Sequence, residues 1–506
     1  MGETMNRPLI CLTLSKTTIS EDLELINRYR NYIDIVELRA DYLNEDELLS
    51  IRRFPELAQI PTILTIRRKN DGGLYKSGEA GRTMLFARAL AFAETDKRKN
   101  FAYVDFEEDY HIPSLEDAAM AYGTMIIRSM HDMNAPVKNL AKRFKEMCKT
   151  NFEIPKIACM PKTLSDVTNI FRECKSMTDQ PHIICAMGPM GLPTRILAQR
   201  LHSYLTFVSP PDSGSFNSVI GHIDPVTINE VYHFHSINDS TKLFGITGWP
   251  LKATNSPAIH NAGYKNQKID AVYIPVCSPD IKDTLDFADE IGIEGLSVTI
   301  PHKENVLPFL NKISTQVQKI EACNTIVKEQ DGTWSGYNTD TDGLSLALQE
   351  FLKLKTLKGW KVAIIGAGGA AKAAAYTVKK LDGKACIFNR TLSKAKAIAE
   401  KFGFDAALLS PENTRKLEKY SSLIIQTTSV GMGSTEAPNE TNNPIWFYEF
   451  TGKEKVFDIV YIPELTPIMA QAEAAGCEVC NGSPMLNYQA YEQFKLFTGK
   501  DYLLQK

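Results

Sequence analysis

The stretch "EIPKIACM" (Glu153–Met160) sets one lysine, Lys156, among Ile154, Ile157, Ala158 and Cys159. Such a run reads as a strand buried on both faces, where lysine rarely sits without a partner. Burial disfavours the ammonium form, and a lysine that sheds its proton becomes a nucleophile toward carbonyl carbon. Lys156 is therefore either a snorkelling rim residue or the chemistry of a site.

Seven further runs of the same kind lie around it: "PLICLTL" (8–14), "IDIVELR" (33–39), "PTILTIR" (61–67), "AYVDFE" (102–107), "GTMIIRS" (123–129), "PHIICAM" (181–187) and "SYLTFVS" (203–209). Amphipathic segments such as "AKRFKEMCK" and "LSDVTNIFRECK" separate them. Eight strands alternating with helices predict an N-terminal parallel (β/α)8 TIM barrel. Catalytic groups of such a barrel come from the C-terminal strand ends and the loops after them. Those places hold Glu37 and Arg39, Arg67 with Asp71 just beyond, His131, Lys156, and Arg195. A lysine can form an imine with a ketone, a histidine can move protons beside it, and arginines can hold a carboxylate. The set points to proton abstraction next to a carbonyl, followed by elimination or aldol cleavage.

"VELRAD", "TIRRKNDGG", "RSMHD" and "IPKIACMP" together resemble the type I 3-dehydroquinate dehydratases over nearly all of residues 8–230. The resemblance implies that Lys156 forms the Schiff base with 3-dehydroquinate and that His131 is the general acid/base. Glu37, Arg39, Arg67 and Arg195 would then bind the substrate. Two positions depart from the family pattern. Asp71 in "DGG" stands where the histidine's acidic partner is usually glutamate, and "SVIGH" supplies Ser218 with His222 in place of a glutamine.

The alternation breaks over 210–241, where a Pro/Gly/Ser loop and a polar linker precede "KLFGITG" (242–248), placing a domain boundary near 238. Beyond it, "WKVAIIGAGGAAKAAAYTVKKL" (360–381) is a strand, a G-x-G-x-x-A turn (Gly366, Gly368, Gly369, Ala370, Ala371) and a helix. This is the dinucleotide fingerprint, with the pyrophosphate expected at the helix N-terminus. At the end of the next strand the acid expected of an NAD site is replaced by Asn389-Arg390-Thr391. A cation there suits a 2′-phosphate, so the cofactor is expected to be NADP(H). Thr254 and Ser256 lie two apart in an extended stretch and can present both hydroxyls to a carboxylate. Lys303, Asn324, Asn338, Thr339 and Asp340 follow in polar strand-end motifs.

This half resembles the shikimate dehydrogenases over 243–506, through S-P-x-x-H-N (Ser256–Asn261), V-T-x-P-x-K ending at Lys303, A-x-N-T, N-T-D, the glycine loop and N-R-T. The resemblance implies a catalytic pair Lys303/Asp340. It also implies substrate contacts from Thr254, Ser256, Thr299, Asn324, Tyr461, Gln489 and Gln493. The expected layout is 1–238 as the barrel, 239–345 as a substrate lobe, 346–482 as a Rossmann NADP lobe, and 483–506 as a helix returning to the substrate lobe.

Bulk properties agree with an enzyme of small metabolites. The 506 residues exceed one core. A net charge of -3 gives no footprint for nucleic acid or an anionic membrane. No apolar run is long enough to span a bilayer. Ten cysteines scattered through apolar runs suit reduced thiols in a cytoplasmic protein, and the single C-x-x-C (Cys477, Cys480) lacks the second pair that zinc needs, so no metal is expected. The expected partners are the small molecules 3-dehydroquinate, 3-dehydroshikimate and shikimate, acted on by a monomeric bifunctional chain. A dehydrogenase of broader quinate/shikimate specificity and a non-catalytic metabolite sensor are the alternatives.

Overall fold

The computed structural model describes residues 7–90, 95–178, 180–211, 221–251 and 254–504. By packing, these fall into two units. The first runs to Gly245 and includes Asp270–Ile293, and the second comprises Ile246–Trp249, Thr254–Ile269 and the chain from Glu294 onward.

All eight expected barrel strands are present: β1 Leu9–Leu14, β2 Ile35–Arg39, β3 Thr62–Thr65, β4 Tyr103–Glu107, β5 Met125–Asp132, β6 Glu153–Cys159, β7 Ile183–Ala186 and β8 Leu205–Val208. They form one parallel sheet in the order β7-β6-β5-β4-β3-β2-β1-β8. β1 pairs with β8, and a bridge between His182 and Ser203 ties β7 to the approach to β8, so the barrel is nearly closed. β6 is buried along its whole length, as a strand covered on both faces must be. The period of two then sorts the inward residues into layers. Ile35, Ile63, Ile127, Ile154 and Ile183 make an apolar floor. Two residues further along the same strands stand Glu37, Thr65, Ser129 and Lys156, with Asp105 on β4 beside them. The barrel therefore changes from hydrocarbon to charge within one step of the pleat.

The outer helices begin on side-chain caps. Thr18 and Glu21 close a capping box on Ile19–Tyr29, and Thr163 with Asp166 does so on Leu164–Cys174.

A second sheet follows, built from β9 Lys242–Gly248, β10 Ala271–Cys277, β11 Ile293–Val298, β12 Lys312–Ile313, β13 Thr325–Lys328 and β14 Trp334–Tyr337, in the order β10-β9-β11-β13-β14-β12. β13 runs antiparallel to both β11 and β14. The third sheet contains β15 Lys361–Ile365, β16 Lys384–Asn389, β17 Asp405–Leu408, β18 Leu423–Gln426, β19 Lys455–Asp458 and β20 Glu478–Cys480. It is parallel throughout, with order β17-β16-β15-β18-β19-β20, the doubly wound arrangement of dinucleotide-binding folds. Its central helix, Gly369–Lys380, lays Ala371, Ala374 and Ala375 on the sheet, and these small side chains permit a close approach. The last helix, Ser483–Thr498, packs on Asp340–Leu352. The contact is tight at Gly343, where a Cβ would lie 2.8 Å from the backbone nitrogen of Gln489. That glycine is what allows Gln489 to reach the polar end of the second sheet.

Candidate active sites

The barrel mouth holds a half-open cavity of about 80 Å³ lined by Glu37, Arg39, Arg67, Asp71, His131, Lys156, Arg195 and His222, among others. The strand ends thus bring together every described barrel residue that the sequence singled out. Ser218 lies outside the described residues.

Lys156 is buried at the centre. Its Nζ lies 3.1 Å from Asp105 Oδ2 and 3.7 Å from Glu37 Oε1, and 4.4 Å from the centroid of the Phe207 ring. The lysine that looked anomalous in its strand is therefore neither alone nor at the rim. Asp105 also accepts from Ser129 Oγ at 2.5 Å and pairs with Arg67 at 2.9 Å. Burial pushes the Asp105 carboxyl up, but Arg67, Lys156 and His131 outweigh it and hold it well below the usual carboxylate range. Glu37 is fixed by the hydroxyls of Thr65 (2.9 Å) and Thr13 (3.3 Å). His131 is driven well below its ordinary value by burial and by the cations Arg67 and Lys156, against the opposing pull of Asp105. It stands as a neutral imidazole whose buried Nδ1 has no hydrogen-bond partner among the described residues.

Two of these residues have partners within the protein. Asp71 lines the cavity but its carboxylate is engaged by Arg68 Nε, and Arg68 is in turn held by Asp109 at 2.8 Å. No bond joins Asp71 to His131 among the described residues. An aspartate is one methylene shorter than the glutamate of the family pattern, and a neighbouring guanidinium three residues back takes it first. Arg67, expected to face a substrate carboxylate, is 3% exposed and bonds Asp105, Glu107 and Ser129. Its charge is spent on neutralising buried carboxylates. Arg195 is buried at the same mouth, and Arg39 carries Asp41 at 2.8 Å. Asp105 and Ser129 were missed by motif reading. Yet "AYVDFE" places an acid in an apolar run just as "EIPKIACM" places a lysine, and the same rule would have found it.

His222 stacks on Phe207, with ring planes 9° apart and centroids at 6.5 Å. Burial and the cations Arg195, Arg39 and Lys156 press it well below its ordinary value, so it too is a neutral imidazole.

In the second unit Lys303 Nζ lies 2.6 Å from Asp340 Oδ2. Asn324 Nδ2 reaches Asp340 Oδ1 (2.9 Å), Thr339 Oγ1 (3.0 Å) and Gln489 Oε1 (3.0 Å). Its carbonyl accepts from Thr339 N–H at 2.8 Å, so the asparagine is held from both ends. Thr254 Oγ1 donates to Ser256 Oγ at 3.2 Å, which puts the hydroxyl pair side by side. Thr299 N–H donates to Thr247 O at 2.9 Å, and its carbonyl accepts from His302 N–H at 2.8 Å. Those bonds set the turn that carries Lys303. Tyr461 is half-buried on the segment after β19.

Gln493 is tied to the second sheet. It is 2% exposed, its oxygen accepts from Ser297 Oγ at 2.8 Å, and its amide donates to Thr325 Oγ1 at 3.0 Å. Its amide is bonded at both ends by the protein. Asn338 likewise donates to Ala322 O at 2.8 Å and holds the turn into Asp340.

The fingerprint turn has the geometry a dinucleotide needs. Gly366 has φ +118, and a Cβ there would meet Thr427 Oγ1 at 2.6 Å. A Cβ on Gly368 would meet nothing within 4 Å, so its backbone is open to a phosphate ahead of the helix that starts at Gly369. Ala370 follows in the first turn of that helix. Asn389 Nδ2 bonds Thr391 O at 3.0 Å, and Arg390 is exposed at the end of β16. These residues fit an NADP(H) molecule: a glycine cradle at the helix N-terminus and a free cation at the ribose position. Cys477 donates to Glu454 and Cys480 to Asn481, and among the described residues no group of three or more His, Cys, Asp or Glu could hold a metal ion.

Comparisons with known proteins agree with this geometry. The family model for type I 3-dehydroquinase matches residues 10–239. Models for the shikimate dehydrogenase substrate binding domain and for shikimate/quinate 5-dehydrogenase match 246–326 and 345–439. A bifunctional 3-dehydroquinate dehydratase/shikimate dehydrogenase, chloroplastic, of Arabidopsis thaliana is 30% identical over 98% of this chain and 82% of its own length. Shikimate dehydrogenases (NADP(+)) of Thermococcus kodakarensis and Methanothermobacter thermautotrophicus are 38% and 37% identical, over 51% and 52% of this chain and 92% and 94% of theirs. A lysine buried against two carboxylates in a barrel, followed by a Lys–Asp pair beside a dinucleotide fold, and a full-length relative carrying both activities, lead to one assignment: the chain belongs to the bifunctional 3-dehydroquinate dehydratase/shikimate dehydrogenase family.

Proposed function

We propose that residues 1–238 dehydrate 3-dehydroquinate to 3-dehydroshikimate and that residues 239–506 reduce this product to shikimate with NADPH. The substrate lobe is 239–345, the cofactor lobe 346–482 and the returning helix 483–506. The observation that carries the reading is Lys156, buried between Asp105 and Glu37 in the cavity that also holds His131.

In the dehydratase site, the Lys156 amine adds to the substrate ketone and the carbonyl oxygen leaves as water, giving a cationic iminium. Asp105, held ionised, Glu37 and the face of Phe207 are already in place around that nitrogen, so the charge forms in a prearranged field. The iminium draws electrons from the adjacent carbon, and neutral His131 accepts the proton released there. The same imidazolium then protonates the leaving hydroxyl, which departs as water, and a water molecule hydrolyses the product iminium to free Lys156 and 3-dehydroshikimate. Arg195 and Arg39 supply positive charge for the substrate carboxylate, and His222 reads a ring hydroxyl through a neutral nitrogen.

In the dehydrogenase site, Thr254 and Ser256 bind the carboxylate, while Asn324 and Gln489 hold ring hydroxyls. Thr299 and Tyr461 complete the substrate wall. Lys303 gives its proton to the carbonyl oxygen as hydride reaches the carbon, Asp340 orients the lysine, and solvent reprotonates it. NADPH, when bound at the glycine turn, supplies the hydride. Arg390 is placed for its 2′-phosphate. The buried, unpaired cysteines support a reducing, cytoplasmic setting, and a self-contained monomer is sufficient for both sites.

Borohydride added with 3-dehydroquinate should fix substrate mass on Lys156. Peptide mapping that finds the label on another residue would refute the dehydratase assignment.

A further inference from the structure

The dinucleotide helix does not merely lie near the catalytic lysine. A Cβ on Gly369 would stand 3.3 Å from Lys303 Cδ and 3.7 Å from Ala322 Cβ. Lys303 and Ala322 meet at one backbone joint, where Cys323 N–H donates to Lys303 O at 2.7 Å. The first residue of the cofactor helix therefore rests on the joint that carries the catalytic lysine.

Two ion pairs bracket this contact. Lys372, one turn into the same helix, reaches Glu304 Oε1 at 2.8 Å, and Glu304 is the residue after Lys303. Lys401, in the last turn of Leu392–Phe402, reaches Glu321 Oε1 at 2.8 Å, and Glu321 is the residue before Ala322. Lys372 is 19% exposed, so its stem is largely packed against its neighbours. Its field extends to the second pair: the Glu321 carboxyl is held below its ordinary value first by its bond to Lys401 and also by the charge of Lys372. One exposed ion pair contributes little. Two pairs that tie neighbouring helices of the dinucleotide fold to the segments on either side of a close contact act on one motion together.

We propose that Lys372 and Lys401, acting through Glu304 and Glu321, are positioning residues that clamp the dinucleotide helix and its neighbour Leu392–Phe402 onto the segments that carry Lys303, so that tight NADPH binding and alignment of the catalytic lysine are coupled. The inference rests on the dehydrogenase reading. Its test is a charge-reversal series in the full chain: Lys372→Glu with Lys401→Glu, the conservative Lys372→Arg with Lys401→Arg, and the swapped chain that adds Glu304→Lys and Glu321→Lys to the first pair. NADPH dissociation is followed by its fluorescence, and 3-dehydroshikimate reduction by kcat and KM.

The reversed pair should weaken NADPH binding at least tenfold and lower kcat, and the arginine pair should keep wild-type values. The swapped chain should regain most of both parameters. Wild-type binding should weaken with added salt more steeply than binding to the reversed pair. A swapped chain as defective as the reversed pair would overturn the proposal, because it would mean that the lysines touch the phosphates directly or serve only to fold the lobe. Unchanged binding and kcat in the reversed pair would overturn it as well. If the wild-type chain bound NADPH but reduced no 3-dehydroshikimate, the dehydrogenase reading would fail, while the binding series would still decide whether the clamp exists.

Discussion

At the residue scale, charge placed in apolar strands is the most informative feature of this chain. Lys156 was legible because nothing but chemistry or a hidden partner explains an ammonium in "EIPKIACM". Its main partner, Asp105, obeys the same rule but carries no motif, and only the parallel register brings β4 and β6 to bear on each other across β5. Asp71 shows what spacing leaves out. It stands at the motif position of the histidine's acidic partner, and Arg68 three residues back holds its carboxylate. Side-chain length and the nearest opposite charge decided the outcome, and neither is visible in spacing. Asp105→Asn should therefore lower dehydratase kcat by about 10²-fold, the scale for removing one prearranged charge-stabilising group. Borohydride labelling of Lys156 should fall with it, and dehydrogenase turnover of the same chain should stay intact. Loss of Arg390 belongs at this scale too. Arg390→Ser should weaken NADPH binding about tenfold or more, the cost of a charge-assisted contact, with little change for NADH. Equal loss for both nucleotides would remove its 2′-phosphate role.

At the scale of elements, strand existence and type were readable almost throughout, because hydrophobic runs of parallel strands leave little ambiguity once they repeat eight times. Less readable were side chains that stabilise strand ends. β19 ends on Asp458, which is fully buried and accepts from Val460 N–H at 2.9 Å and from Thr466 Oγ1 at 2.7 Å. Among its described neighbours no cation offsets its burial, and its carboxyl is pushed up to about 7. A carboxyl raised in the folded state favours folding while protonated. That contribution is complete below its ordinary value near 3.8 and is lost as pH rises through about 7. The melting temperature of the dehydrogenase part should accordingly fall between pH 5 and pH 8. Asp458→Asn, which keeps the shape and can still bond both partners, should flatten that slope. A variant with the wild-type slope would locate the pH dependence in another group.

At the scale of the whole molecule, the order of the two halves matches the order of two reactions: the first site's product is the second site's substrate. The barrel and the dinucleotide fold were both legible from alternation and one glycine motif. The substrate lobe between them was legible only through family motifs, because its short mixed strands carry no period long enough to read. Gln493, expected at a ligand and found bonded to Ser297 and Thr325, shows why. A polar residue on a helix face can serve a ligand or a neighbouring strand, and only the packing of Ser483–Thr498 distinguishes them. The most direct test of the account is a single assay in which purified protein receives 3-dehydroquinate and NADPH, with shikimate and NADP+ measured as products. The account predicts stoichiometric shikimate from the wild-type chain. It predicts none from Lys156→Ala, which should still reduce added 3-dehydroshikimate, and accumulation of 3-dehydroshikimate from Lys303→Ala. Wild-type protein that consumes neither 3-dehydroquinate nor NADPH would contradict it.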